Sequence, residues 1–242
     1  MQAQLQILHK EDKMDITNYT GYSVDKYIKE ASWVIKQGSK VLDAGAGSSP
    51  YANYFKNCIY HTADINGNPT FKCSIDNIPV PDNSYDVIIC TEVLEHVKYP
   101  DKVIKEFHRI LRSGGMLIMT LPQCYGEHSD DNYFNFLRNG IKLLLQDIGF
   151  ININIEALGG IYTTIGKLFR VSSWYIFRQY LDTSGSFPKI TAKSILLAPI
   201  FIAVLPFTYY IIPFVCYYLD KMDKNKQWTI NYGCNAIKGK VN

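Results

Sequence analysis

The chain has 242 residues, 47% of them apolar and 19% charged, which is enough for one large domain or for one domain with an appendage. Its net charge of +3 is too small to indicate a nucleic-acid partner, and no basic cluster resembles a phosphate-binding patch. The six cysteines lie far apart without a C-x-x-C pair, which argues against a zinc site or a disulfide framework and favours reduced thiols in a cytoplasm.

Short apolar runs alternate with helical patterns along most of the chain. Helices are predicted over 24–36, 100–112 and 133–148, where apolar residues recur at helical spacing. The apolar runs have the length of strands and cover residues 40–45, 59–64, 85–90, 116–121, 150–157 and 228–238. This alternation is typical of βαβ units. The sequence therefore predicts an α/β fold with a doubly wound, mostly parallel sheet.

The same pattern divides the chain into four predicted segments. An N-terminal helical segment covers 1–37, and an α/β domain that binds a ligand covers 38–159. An apolar, aromatic and helical insert at 160–226 breaks the alternation, and residues 227–242 bring the last strand back to the sheet.

Two strand ends carry the pattern of a nucleoside-binding edge. In VLDAGAGSSP (41–50), Asp43 ends an apolar run, and Gly45 and Gly47 allow the backbone to turn tightly beside a ligand. The strand IYHTAD ends in Asp64, whose carboxylate can accept both hydroxyls of a ribose. Either feature alone also fits an ordinary tight turn or cap, so it is the pair that is informative. Pro50 stands where a dinucleotide fingerprint has its third glycine, which disfavours a nicotinamide oxidoreductase.

A third segment, IDNIPVPDNSYDVIICTEVLEHV (75–97), is followed by RILRSGGMLIMTLP (109–122). The order of these motifs after VLDAGAG and the strand-end aspartate resembles the class I S-adenosylmethionine-dependent methyltransferases, in particular the small-molecule and glycan group with a P-F-P-D-x-S-F-D … E-V-L-E-H signature. The resemblance covers roughly residues 38–158. It implies a Rossmann-like fold and S-adenosyl-L-methionine as cofactor.

The resemblance also implies roles for individual residues. The methionine end of the cofactor would be lined by Asp43, Gly45 and Gly47, and Asp64 would hold the ribose. The adenine side falls on Ser74, Ile75 or Asp76. Near the methyl group it places Cys90, Thr91 and Glu92.

Methyl transfer to oxygen or nitrogen can require a general base, and three residues are candidates. His96 follows Glu95 in the LEH segment, and His128 and Asp131 lie in the polar loop YGEHSDDNYF. A lone histidine is often structural or solvated, so these roles are hypotheses. The sequence shows no ligand cluster for a metal. Lys102, Lys105 and Arg109 are expected on a solvated helix face.

The insert contains 25 residues without a charge, 195–219, interrupted by Pro199, Pro206 and Pro213. A single membrane crossing would separate the last strand from its sheet. Pro206 is expected to divide the stretch into arms of 11 and 13 residues, each too short for a core of about 30 Å. We therefore expect a hairpin that dips into a membrane at Pro206. The alternative is a buried lid over the acceptor site or a homodimer face.

The residues on either side of this stretch indicate that both of its ends would lie on the cytoplasmic side of a membrane. Both ends carry basic residues, which are Lys189, Lys193, Lys221, Lys224 and Lys226. Upstream, 165–181 mixes basic and large apolar side chains, as interfacial helices do.

The resulting prediction is a methyltransferase, peripheral on the inner membrane face, that acts on a glycan, lipid-linked or otherwise membrane-presented acceptor. One alternative is the same reaction on a soluble metabolite. Another is a scaffold that keeps the fold without turnover, against which the intact Asp43, Gly45, Gly47 and Asp64 count.

Overall fold

The computed structural model describes residues 18–127, 129–178, 181–182, 189–190 and 192–240. These residues form two compact units. The larger unit contains Ser23–Gly160 and Lys226 onwards, and the smaller one contains the residues up to Tyr22 together with Ile161–Asn225. The boundary between them falls within the first helix.

A seven-stranded sheet forms the centre of the larger unit. The strands are β1 Lys40–Ala44, β2 Ile59–Asp64, β3 Phe71–Lys72, β4 Tyr85–Thr91, β5 Leu111–Pro122, β6 Phe150–Leu158 and β9 Asn231–Lys238. Their order in the sheet is β3-β2-β1-β4-β5-β9-β6. β9 is antiparallel to both of its neighbours, and the other paired strands of this sheet are parallel. The prediction of a Rossmann-like, mostly parallel sheet with an apolar helical insert before the last strand is confirmed.

Helices cover both faces of this sheet, which explains why its central strands are continuously apolar. The helices of the unit are α1 Tyr19–Ser32, α2 Pro100–Ile110 and α3 Arg138–Ile148. On one face, α2 and α3 bury Phe107 and Leu145 against the sheet. On the other face, α1 buries Tyr27 and Ile28.

Helix α3 begins five residues later than its periodicity predicts. The amides of Tyr133 and Phe134 donate to the carbonyl of Glu95, and the amide of Phe136 donates to Pro122 at 2.7 Å. The backbone of Leu137 is extended, with φ −99° and ψ 147°, so the helix begins after it and residues 133–137 form a loop. The helix ends at Gly149, whose φ of +103° suits a C-cap.

The smaller unit is dominated by two antiparallel helical segments. α4 covers Ile161–Arg178, and α5 Ala192–Pro206 continues through a π-helical turn, Phe207–Ile211, into α6 Ile212–Leu219. The short strands β7 Leu181–Asp182 and β8 Lys189–Ile190 pair antiparallel between them. We call α4 and the α5–α6 segment together the helical hairpin.

Polar groups join the two segments of the helical hairpin along their length. The carboxylate of Asp220 accepts hydrogen bonds from the Thr163 amide at 3.0 Å and from its hydroxyl at 3.2 Å. Farther along, Arg170 donates to the Tyr209 hydroxyl at 3.0 Å. Near the far end, the Ser173 hydroxyl donates to Thr208 at 2.6 Å.

The expectation that the chain reverses at Pro206 is wrong. The segment Ala198–Met222 is one continuous helical run of 25 residues. Pro206 removes one amide donor, and the π-turn that follows it changes the hydrogen-bond register at that point, so the helix continues. The reversal of the chain instead lies between α4 and α5.

Candidate functional site

The candidate site lies at the carboxyl ends of β1, β2 and β4. The strand order changes direction between β1 and β4, because β2 and β3 extend the sheet on one side and β5 on the other. In open α/β sheets, ligands bind in the crevice at such a switch point. The residues that follow these strands are therefore the ones to consider.

The glycine loop after β1 packs directly on the turn after β4. Gly45 has a φ of +77°, and a Cβ added there would lie 2.5 Å from Cγ2 of Val93. Gly47 has a φ of +52°, and a Cβ at that position would meet open space. At Gly45 both the positive φ and the contact with Val93 disfavour any side chain. At Gly47 only the positive φ does so.

Asp43 is buried beneath this loop, with 1% of its surface exposed. One carboxylate oxygen accepts a hydrogen bond from the Tyr60 hydroxyl. The other, Oδ1, has no hydrogen-bond partner within the described part of the chain. Burial raises the pKa of Asp43 to about 6, the Tyr60 hydrogen bond opposes this increase, and Asp64 adds to it.

Asp64, at the end of β2, ties the glycine loop to the next loop. Its Oδ2 accepts from the Gly47 amide at 2.9 Å, and its Oδ1 accepts from the Asn66 amide at 2.8 Å. The structure therefore brings Asp43, Gly45, Gly47 and Asp64 together, as the sequence predicted for a single ligand-binding edge.

The segment predicted to face the adenine lies farther along the same edge. The Ser74 hydroxyl donates to Asp76 at 2.5 Å, and Ile75 is 8% exposed. The following IPVPDNS loop is fixed by Arg109, which donates to the carbonyls of Ile78 and Val80.

Arg109 does not belong to a solvated helix face. Besides those two carbonyls, its guanidinium contacts Asp82 at 2.6 Å and Glu106 at 2.8 Å. Glu106 in turn accepts from the Ile78 amide at 2.7 Å. The expectation for this residue was wrong because three of its four partners, Ile78, Val80 and Asp82, are 27 to 31 residues away in the chain.

Cys90 and Thr91 are the last residues of β4, and Glu92 begins the turn after it. Cys90 is buried, and burial raises the pKa of its thiol well above the usual range, with Glu95, Asp43 and Glu92 contributing. Glu92 has a φ of +51°, an unusual conformation for a residue other than glycine. Non-glycine residues held in this region often belong to functional sites.

Asn231, the first residue of β9, completes this end of the sheet. Its side-chain amide donates to Oε2 of Glu92. Asn231 is fully buried, and its Oδ1 has no hydrogen-bond partner in the described part of the molecule. Sequence reasoning missed this residue because the pairing of β9 with β5 and β6 joins positions more than 70 residues apart.

Tyr60 was also missed, although a sequence signal exists. In β2, Tyr60, Thr62 and Asp64 share one face, and Thr62 pairs with Asp43 across β1 and β2. The period of two along the strand therefore places the Tyr60 hydroxyl near Asp43.

Two of the three candidate bases lie together. The Nδ1 atom of His96 lies 3.5 Å from Oδ1 of Asp131 and 3.4 Å from the Ser129 hydroxyl. The hydrogen bond from Ser129 and the nearby His96 lower the pKa of Asp131. His128, the third candidate, lies outside the described residues, and its role stays a prediction.

Glu95 lies in the same turn as His96 but is buried, with 2% of its surface exposed. Burial, followed by the charge of Glu92, raises its pKa to about 8. The sequence analysis noted this residue only because it precedes His96. The structure shows that Glu95 is a buried carboxyl group, which is rare in proteins.

Comparison with known proteins agrees with this geometry. A family model described as a methyltransferase domain matches residues 42–119. An uncharacterized protein of Methanocaldococcus jannaschii is 26% identical over 160 residues, which is 61% of this chain and 68% of that protein. The ubiquinone/menaquinone biosynthesis C-methyltransferase of Haemophilus ducreyi is 26% identical over 108 residues, which is 35% of this chain and 42% of that enzyme.

The fold is also shared with a solved structure. Phosphoethanolamine N-methyltransferase 2 of Haemonchus contortus, in complex with S-adenosyl-L-methionine, superposes with a TM-score of 0.53 at 16% identity. The match covers 90% of this chain and 53% of that one, so the chain spans about half of this enzyme. Fold, family match and strand-end residues agree: residues 42–119 belong to a methyltransferase domain of the class I, S-adenosylmethionine-dependent type.

Proposed function

We propose that the chain transfers a methyl group from S-adenosylmethionine to an oxygen of a membrane-presented acceptor, such as a lipid-linked molecule or a glycan. The proposal combines the methyltransferase domain with the helical hairpin. The single observation that carries its membrane part is the inverted polarity of this hairpin.

The residues at the carboxyl edge fit the cofactor. S-adenosylmethionine carries positive charge on its ammonium and sulfonium groups, and its ribose offers two hydroxyl donors. The buried, unpartnered Oδ1 of Asp43 and the carboxylate of Asp64 are acceptors that suit these groups. The residues that would hold the cofactor are Asp43, Gly45 and Gly47 at the methionine end, Asp64 at the ribose, and Ile75 and Asp76 on the adenine side.

The protein contributes to the chemistry by positioning the cofactor and the acceptor and by excluding water from the site. The bound cofactor supplies a methyl group on a positively charged sulfur, which is already an activated leaving group. Cys90 and Glu92 would line the side near this methyl group, and the burial of Cys90 keeps solvent from that wall. Alignment of donor and acceptor in a dry site accounts for most of the rate that such a reaction needs.

The helical hairpin is polar inside and apolar outside. Its internal contacts join Thr163 to Asp220 and Ser173 to Thr208, and all four side chains are hydrogen-bonding. At Gly166 a Cβ would lie 3.1 Å from Cys216, so the helices approach closely through a small residue. Small and polar residues between helices are typical of packing in lipid.

The outer surface of α5 and α6 is correspondingly apolar. Leu196 is 78% exposed and Ile202 is 74% exposed. In the most apolar 18-residue window of Ala198–Met222, only 6% of the residues are buried, with a mean hydropathy of 2.0. A core helix of a water-soluble domain would bury most of such a window. The basic residues near both ends favour the cytoplasmic face of a membrane.

Vesicle flotation tests the membrane part of the proposal. The full chain is expected to float with vesicles of phosphatidylcholine and phosphatidylglycerol. The double variant Leu196→Glu and Ile202→Glu should lose flotation, because each glutamate costs several kcal/mol in lipid. A matched control changes two exposed apolar residues of the larger unit, Val34→Glu and Leu143→Glu. Equal flotation of both variants would contradict the assignment and favour a lid or dimer face on a soluble metabolite methyltransferase.

Two measurements test the catalytic part. Calorimetry with S-adenosylmethionine should show binding, and its absence would favour the non-catalytic scaffold. Incubation of the full chain with methyl-labelled cofactor and a total lipid extract should then move label into the lipid fraction. If label is transferred only in a water-soluble metabolite extract, the proposal of a membrane-presented acceptor is contradicted.

A further inference from the structure

Glu95 is a buried carboxyl group that the assignments above do not use. Its side chain is 3% exposed, and its Oε2 atom has no hydrogen-bond partner among the described residues. Burying a carboxyl oxygen without a hydrogen-bond partner is costly, and native structures rarely keep such an atom without a role.

The turn that carries Glu95 is held in place from two directions. On one side, Val93 packs against Gly45 of the glycine loop. On the other side, the carbonyl of Glu95 accepts hydrogen bonds from the amides of Tyr133, at 2.7 Å, and Phe134, at 3.3 Å. The turn that carries Glu95 is therefore fixed between the glycine loop and the polar loop 125–134, in which two candidate bases were predicted.

The charged and titratable groups around Glu95 come from four elements. Glu92 lies in the same turn and disfavours ionisation of Glu95, and His96 has its Nε2 atom 3.9 Å from Oε1 of Glu95. Cys90 of β4 interacts electrostatically with both Glu95 and Asp43 of β1. From the loop above, Asp131 contacts His96. Within the described residues, these groups are more acidic than basic, so a positive ligand is the natural partner of this region.

We propose that Glu95 accepts the acceptor's proton during methyl transfer, and that it is protonated before the cofactor binds and ionised by the positive charge of the sulfonium. The inference rests on the proposed function. It assigns to Glu95 a role for which the sequence analysis named His96, His128 and Asp131.

The charges balance across the reaction. As the acceptor's oxygen takes the methyl group, the electron pair of the broken S–C bond stays on sulfur, and the O–H proton passes to the Glu95 carboxylate. The positive sulfur and the negative carboxylate thus become a neutral thioether and a neutral carboxylic acid together. A buried site tolerates this exchange well, because its net charge stays the same.

Proton release on cofactor binding tests the inference without an acceptor. Calorimetry at pH 7 in buffers of different ionisation enthalpy counts the protons released. S-adenosylmethionine is expected to release about one more proton per site than S-adenosylhomocysteine, which lacks the positive sulfur. Glu95→Gln should bind both compounds and abolish this difference. The matched control Glu30→Gln, an exposed glutamate of α1, should keep it.

Infrared difference spectroscopy of the wild-type protein gives a second readout that needs no variant. A carboxylic-acid band should disappear when S-adenosylmethionine binds and remain when S-adenosylhomocysteine binds. Equal proton release by the two compounds, or an unchanged difference in Glu95→Gln, would overturn the role of Glu95. If the wild-type protein binds neither compound, the proposed function itself is contradicted.

Discussion

The two units of this protein place their polar groups in opposite ways. In the sheet unit, apolar side chains such as Leu42, Ile88 and Leu117 fill the interior, and the buried polar groups lie at one edge. In the helical hairpin, Thr163 and Ser173 are buried while Leu196 and Ile202 are exposed. The sheet unit thus follows the rules of water-soluble packing, and the hairpin has the arrangement that the proposed membrane contact requires. The two units differ in where their polar side chains lie, and this difference can be tested.

The largest expected effect is on cofactor binding, at Asp64. Asp64→Ala removes a carboxylate that would accept two ribose hydroxyls, which should weaken S-adenosylmethionine binding about 100-fold or more. Calorimetry measures the affinity, and flotation of the same variant should be unchanged. The exposed Asp147→Ala is the control. Loss of flotation together with binding would show that the two units do not act separately.

The next effect is the pH dependence of stability in the sheet unit. Because the pKa of Glu95 is raised from 4.5 to about 8, the unfolded state loses its proton at lower pH than the folded state. Stability of the cofactor-free protein should therefore fall by about 3 kcal/mol between pH 5 and 8. Asp43 acts in the same direction up to about pH 6. Urea unfolding at several pH values measures the profile, and Glu95→Gln should flatten it above pH 6. An equally steep profile in that variant would place the buried proton elsewhere.

A smaller effect separates conformation from packing at the glycine loop. Gly45→Ala places a side chain at a φ of +77° and against Val93, whereas Gly67→Ala meets only the strain of a φ of +67°. We expect the first variant to lose about 2 kcal/mol more than the second in urea unfolding. Equal losses of stability would mean that the side chain of Val93 moves aside without a measurable cost.

The smallest effect concerns packing within the helical hairpin. A Cβ at Gly166 would lie 3.1 Å from Cys216 and from Pro213, so Gly166→Leu should force α4 and α6 apart. Protease cleavage within the hairpin should become faster, with cofactor affinity unchanged. A hairpin that resists protease equally in Gly166→Leu would contradict close helix packing there.

A glycine in α3 of the sheet unit provides the opposite case. Nothing lies within 4 Å of a Cβ added at Gly140, and Gly140→Ala should stabilise the sheet unit by about 0.5–1 kcal/mol.

Local patterns were enough to predict the sheet and the edge at which the strand-end aspartates and the glycine loop meet. The apolar runs and the strand-end residues Asp43 and Asp64 are visible in short windows of sequence, because a strand buried on both faces leaves a continuous apolar signature. The fold class and the family were therefore predicted correctly.

Other features depend on contacts that no short window contains. Arg109 and Asn231 meet partners far away in the chain, and the loop before α3 is tied by hydrogen bonds to Glu95 and Pro122. Pro206 misled the interpretation because a proline normally ends a helix, whereas a π-turn accommodates it here.

The hydrogen bonds at the base of the helical hairpin have a consequence for how the protein is built. The Ile161 amide donates to the Asp223 carboxylate at 2.8 Å, so the chain enters and leaves the hairpin at nearly the same point. On the sheet side, Leu158 of β6 pairs with Asn231 of β9. The hairpin is thus an insertion between two strands that pair side by side. We expect that a short linker from Gly160 to Lys226 can replace it without disturbing the sheet.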